Sequence, residues 1–204
     1  QRDVDIAEKI YDNRPLLGEK LPETWNVSLR MGDYHLTNDS HRFEDIADVL
    51  KSVPASTDGI LTALKKLDRF PVFEGKQCWF FDARVDVPSL CVRSEHCRDI
   101  TFSRTRVGFR RIAASTNERT LVPCFVPGGG LCTYGVLFAD DDVDRALSAR
   151  ERMLFGAILS SFVLDFVVRF QITTSISNSN GYSLPVIRSG LDTLFSQALV
   201  SRVA

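Results

Sequence analysis

Residues 104–120 read RTRVGFRRIAASTNERT, five arginines in a stretch that alternates like a strand before it turns. Arg104, Arg106 and Arg110 share one parity, and Val107, Phe109 and Arg111 share the other. Successive strand side chains point to opposite faces, so this period predicts a strand with a basic face. The residues that follow, Ala113 to Arg119, are small or hydrogen-bonding and predict a polar turn beside it. Arginine's planar fork suits phosphate oxygens and guanine edges, and Ser, Thr and Asn supply further donors to a phosphate backbone. The plain alternative is an arginine face that is solvated or paired with carboxylates.

Around this stretch the pattern is β: residues 70–73, 78–82, 103–114, 119–126 and 130–138 are apolar or β-branched and bounded by Gly, Pro or Asp. Trp25, Val27, Leu29 and Met31 alternate with polar neighbours in a further half-buried strand. Helices are expected over residues 44–52, 59–67 and 189–203. Another begins at Ser148, where Ser148-Ala-Arg-Glu151 is a capping box. Its apolar residues go nearly all round, predicting one buried helix to about Gln171. The expected fold class is α+β, a twisted and mainly antiparallel sheet packed on a long buried helix. Residues 1–22 are expected to be a linker or docking segment, and residues 23–204 one domain.

A chain of 204 residues, 44% of them hydrophobic, can bury a sizeable core. Its net charge of -1 argues against a protein that coats nucleic acid with its whole surface, so any such contact needs a local patch. Residues 93–119 offer one, with seven arginines against Glu95, Asp99 and Glu118. All six lysines lie at or before Lys76, a bias that genomic base composition explains as well as selection does. Five cysteines with no CxxC pair and no signal peptide point to a reduced, cytoplasmic setting. The apolar run 153–170 contains Ser160, Ser161, Asp165 and Arg169, too polar to favour a membrane span.

Catalytic signatures are missing from the sequence: there is no GxSxG, HExxH, GxGxxG or Asn-Pro-Pro-Tyr. Gly128 to Gly130 is read as a β-turn, since no phosphate-loop lysine follows. Asp39, His41 and the aspartates within 140–144 offer a metal-dependent hydrolase as a minor alternative. Phe73, Trp79, Phe80 and Phe109 are read as core.

Four pieces of the chain carry a family likeness in order. They are Trp25 with MGDYHLTNDSHRF (31–43); FPVFEGKQCWFFDAR (70–84); RVGFRRIAASTNERTLVPCFVP (106–127); and LFGAILSSFVLDFVVR (154–169) with LPV (184–186). The set resembles the C-terminal target-recognition (TaqI-like specificity) domain of type IIG, BREX PglX-like and DISARM N6-adenine DNA methyltransferases. Residues 86–104 and the tail after Ser189 match nothing in that pattern.

The resemblance implies a non-catalytic domain that binds double-stranded DNA and positions it for methylation by a separate catalytic domain. S-adenosylmethionine would be bound by that other domain, and no catalytic, cofactor or metal residue is expected here. The implied DNA contacts are Arg104, Arg106, Arg110, Arg111, Ser115, Thr116, Asn117 and Arg119, supported by Asn38, Asp39, Ser40 and Lys76. Expected partners are double-stranded DNA, the protein's own N-terminal methyltransferase domain and other defence-system subunits, with no membrane. The competing reading is a protein-docking module of a defence complex.

Overall fold

Among the residues described by the computed structural model (2–51, 59–80, 88–97, 104–141, 146–188, 190 and 193–203), eight strands divide into two four-stranded sheets. The first runs β1 (Val27–Met31), β8 (Val136–Asp141), β5 (Arg106–Arg110), β6 (Pro123–Val126) and is antiparallel throughout. The second runs β2 (Phe43–Asp45), β4 (Leu90–Arg93), β3 (Arg69–Phe73), β7 (Leu131–Cys132) and is antiparallel apart from the β3–β7 pair. The fold is α+β as expected, with two sheets where the pattern suggested one. The division arises in residues 130–138, read as one strand. Val136 N–H closes a turn onto Thr133 O at 3.1 Å, sending β7 into one sheet and β8 into the other.

β5 and β8 lie inside the first sheet and are covered on both faces. Val107, Phe109, Leu137 and Ala139 join Val27 and Leu29 in the main core, closed by α4 (Ala149–Leu159) and α5 (Phe162–Gln171). The opposite parity, Val136 and Phe138, meets Phe73, Cys78, Cys124, Val126 and Cys132 in a cluster between the sheets. Full burial of one such phenylalanine contributes about 1.5–3 kcal/mol. In the second sheet Val72, Val92 and Leu131 pack on Tyr34. Cys91 packs against Ile46 of α2 (Ile46–Lys51) and Leu64 of α3 (Ile60–Lys66).

The helix expected over residues 148–171 is two helices, bent by 62°. α4 starts as foreseen: Ser148 Oγ accepts from Glu151 N at 3.2 Å, and the Glu151 carboxylate accepts from Ser148 N at 2.8 Å. It stops at Ser160, whose hydroxyl donates back to Gly156 O at 2.8 Å. Ser161 then caps a new helix, accepting from Leu164 N at 3.3 Å. Paired serines offer the backbone side-chain partners that compete with a continuing helix. No single described helix is long and apolar enough to cross a membrane.

Other segments differ from the sequence pattern or add to it. Residues 176–183, which look like a polar loop, hold α6 (Asn178–Tyr182) behind a capping box of Ser177 and Asn180. β4 falls in a stretch that gave no reading. Within residues 1–22, expected to be a linker or docking segment, Leu17 is fully buried and its N–H donates to Leu184 O at 2.8 Å. α1 (Arg2–Tyr11) rests Ile10 and Tyr11 on the main core, and α7 (Leu194–Val203) lies along α4.

Candidate nucleic-acid interface

β5 is an interior strand, so its predicted basic face looks into the molecule. Arg106 is 5% exposed. Its Nη1 and Nη2 fork onto Asp33 Oδ1 and Oδ2 at 3.0 and 2.8 Å, Nη2 also donates to Gly130 O at 2.8 Å, and the guanidinium lies 3.8 Å from the Phe138 ring centre. Asp33 Oδ2 accepts as well from Cys132 N at 2.9 Å. Losing one member of such a buried pair costs about 3–5 kcal/mol, so Arg106 braces the two sheets and is not available to an outside ligand. The glycine turn at 128–130 supplies an acceptor to this brace, with Gly130 N donating to Pro127 O at 2.9 Å.

Arg110 shares that face and is held by main-chain carbonyls, Nε on Gly75 O at 2.9 Å and Nη2 on Cys78 O at 2.8 Å. Arg119 is also committed within the fold: it donates to Ser160 O at 2.8 Å and stands 3.5 Å from Asp165. Asp165, 3% exposed, accepts from Thr120 N and Leu121 N, each at 2.7 Å, and from Arg169 Nε at 3.0 Å. Arg169 continues the grip, donating to Ser115 O at 3.0 Å and to Glu118 O. Glu118 therefore contributes its carbonyl rather than a carboxylate pair to this clamp. α5 thus holds the 113–120 turn by its main chain, leaving Thr116 and Asn117 exposed at the tip.

A groove of about 520 Å³ opens where β5 ends, and Arg110, Arg111, Lys76, His35, Ile112 and Tyr134 line it. Its floor requires glycine, since a Cβ on Gly75 would meet Gly135 O at 2.7 Å. Arg111 N–H donates to Gly135 O at 2.8 Å, one step beyond the last β5–β8 pair and in its register. Its Nε is buried and meets no acceptor, as is also the case for Arg106 and Arg119. Lys76 pairs with Glu74 at 2.7 Å, but its side chain is 68% exposed, and such surface pairs contribute little.

On the groove's other side His35 stands edge-on to Tyr134, ring centres 5.4 Å apart. His35 Nδ1 accepts from the Thr37 and Asn38 N–H groups, both at 3.2 Å, so the neutral ring carries its proton on Nε2. Asp39 closes the same loop by accepting from His35 N at 2.8 Å, and the exposed Ser40 opens a 3-10 turn.

The geometry brings Lys76, Arg110 and Arg111 to one groove, with the Asn38–Ser40 loop adjoining it. Ser115, Thr116, Asn117 and Arg119 stand apart, on the α5 side, and Arg104 is exposed at the entry to β5. The groove residues missed by sequence include His35, Glu74, Ile112 and Tyr134. The 58% exposure of Ile112 has a sequence signal, an isoleucine directly after the strand's last arginines. Phe73 and Phe109 are core as expected, whereas Trp79 is 49% exposed because the chain leaves the inter-sheet cluster after Cys78. Among the described residues no three His, Cys, Asp or Glu side chains gather as metal ligands; Asp142 and Asp144 lie outside them.

No family model matches the chain, and no curated protein matches its sequence. In structure the chain is similar to the type IIG restriction endonuclease BpuSI, with a TM-score of 0.60 at 12% identity. That match covers 100% of this chain and 28% of the enzyme, and at such identity it is a likeness of fold.

Proposed function

We propose that this chain is a DNA target-recognition domain of the restriction-modification type, binding duplex DNA and positioning it for adenine methylation by a separate domain. The observation that carries the reading is the likeness of the whole chain to one part of a type IIG restriction endonuclease. The groove gives it a contact surface. Lys76 and Arg111 meet phosphates there, with Asn38 and Ser40 reaching in from the adjoining loop, and Thr116 and Asn117 form a second contact at the turn on α5. Arg106, Arg110 and Arg119 act as braces for these surfaces. In this reading S-adenosylmethionine and the transfer step belong to the other domain, since the chain has neither Asn-Pro-Pro-Tyr nor a glycine-rich cofactor motif.

The test is fluorescence anisotropy with a random-sequence duplex at two salt concentrations, beside a Lys76→Glu/Arg111→Glu variant. The expected outcome is salt-sensitive binding with Kd of roughly 10⁻⁴ to 10⁻⁶ M at physiological salt, lost in the variant. Absence of binding at low salt would overturn the reading in favour of a protein-docking module.

A further inference from the structure

Arginines and aromatic rings alternate across the surface beside α5, sharing only Arg110 with the groove. Trp79 and Phe80 meet edge to face with ring centres 5.9 Å apart. The Arg119 guanidinium lies 4.5 Å from the Phe80 ring centre and 4.3 Å from that of Phe162, while Arg110 stands 5.5 Å from Trp79. Both guanidiniums are fixed by carbonyl acceptors, Arg110 on Gly75 and Cys78 and Arg119 on Ser160. Yet Trp79 remains 49% exposed and Phe162 77% exposed.

Burial does not explain a phenylalanine so open to water at the first position of a helix. Its ring centre lies 4.3 Å from the Arg119 guanidinium, and most of the side chain is open to water. An exposed aromatic ring of this kind, beside arginine, is the usual platform for stacking a nucleobase, since every base offers a π-face. The helix N-terminus at Phe162 adds a positive end, which suits a ligand whose backbone is anionic. Thr116 and Asn117, exposed on the neighbouring turn, supply polar side chains near the same edge.

We propose that Phe162 and Trp79, linked through Phe80 and Arg119, offer stacking faces for unpaired nucleobases, so that the domain holds locally opened or single-stranded DNA as well as duplex. This deepens, and rests on, the nucleic-acid reading. Phe166 and the 59% exposed Phe170 lie further along α5, away from the arginines, and the platform does not include them.

Tryptophan emission provides the readout, because the only other tryptophan, Trp25, is 1% exposed. The chain is titrated with a twelve-nucleotide oligothymidine and with an abasic strand of the same length and charge, beside the random duplex. Base-containing strand is expected to quench Trp79 and to bind about tenfold tighter than the abasic strand. Phe162→Ala should erase that difference, Phe162→Tyr should keep it, and Phe170→Ala should leave it unchanged. Equal binding of the two strands with Trp79 unquenched, while the duplex still binds, would overturn the platform and spare the recognition-domain reading. Failure of strands and duplex alike would overturn both and assign the aromatic face to a protein surface.

Discussion

Arg106 and Arg111 stand five positions apart on one arginine-rich segment, and the two regions they occupy use the same side chain in opposite ways. Around Arg106 the guanidinium is sealed between two sheets, forked onto Asp33 and stacked on Phe138. Around Arg111 the strand has ended and the cation lines an open groove, with no carboxylate forked onto it. Arginine density therefore says nothing by itself about ligands. What separates a brace from a contact is whether a carboxylate and carbonyls already saturate the fork.

The comparison breaks most visibly at Asp33. Asp33→Ala should cost about 3–5 kcal/mol by leaving Arg106 buried without its carboxylate, seen as a lowered urea midpoint. If that variant keeps wild-type stability, the brace does not exist. Asp165→Ala comes next, expected at about 3 kcal/mol, since two buried N–H groups and two guanidiniums lose an acceptor together. Amide exchange should speed up at Thr120 and Leu121 in particular.

Arg111→Ala sharpens the contrast from the other side. Stability should stay within about 0.5 kcal/mol, while duplex affinity falls and the slope of log K against log salt shrinks by about 1. A large loss of stability here would merge Arg111 with the braces.

The smallest effect is expected at Glu44, at the edge of the second sheet. Burial alone would raise its carboxyl, but hydrogen bonds and charge from Arg69 and Arg93 outweigh this and hold it below the ordinary 4.5. A carboxylate depressed in the folded state contributes stability above its unfolded value and loses it as pH falls through the folded one. Acid should therefore destabilise the protein below about pH 4.5, by under about 1 kcal/mol from this group, and Glu44→Gln should remove that part of the acid dependence.

Much of the architecture was legible because it rests on period and capping. The alternation of Val107 and Phe109 located β5, and Ser148 with Glu151 located the start of α4. Period cannot reveal how strands are shared out, so the turn at Thr133 to Gly135 and the second sheet stayed hidden. Nor did it show that Ser160 and Ser161 cut the helix. The candidate site was legible as residue types but not as directions: parity grouped Arg106 with Arg110 correctly, yet only the covering sheet shows that this face points inward. His35 and Tyr134 stand 99 residues apart in the chain and meet through strand pairing that no local pattern encodes.

One detail of the α5 clamp bears on how such a domain can change. Arg169 and Asp165 hold the 113–120 turn through the carbonyls of Ser115 and Glu118 and the N–H groups of Thr120 and Leu121, atoms every amino acid other than proline possesses. Thr116 and Asn117 project from a mount indifferent to what it carries, so new side chains can be tried at the tip while the scaffold beneath stays the same. A library randomised at those two positions should consist largely of folded proteins, which makes this turn the natural place to diversify if the proposed recognition role holds.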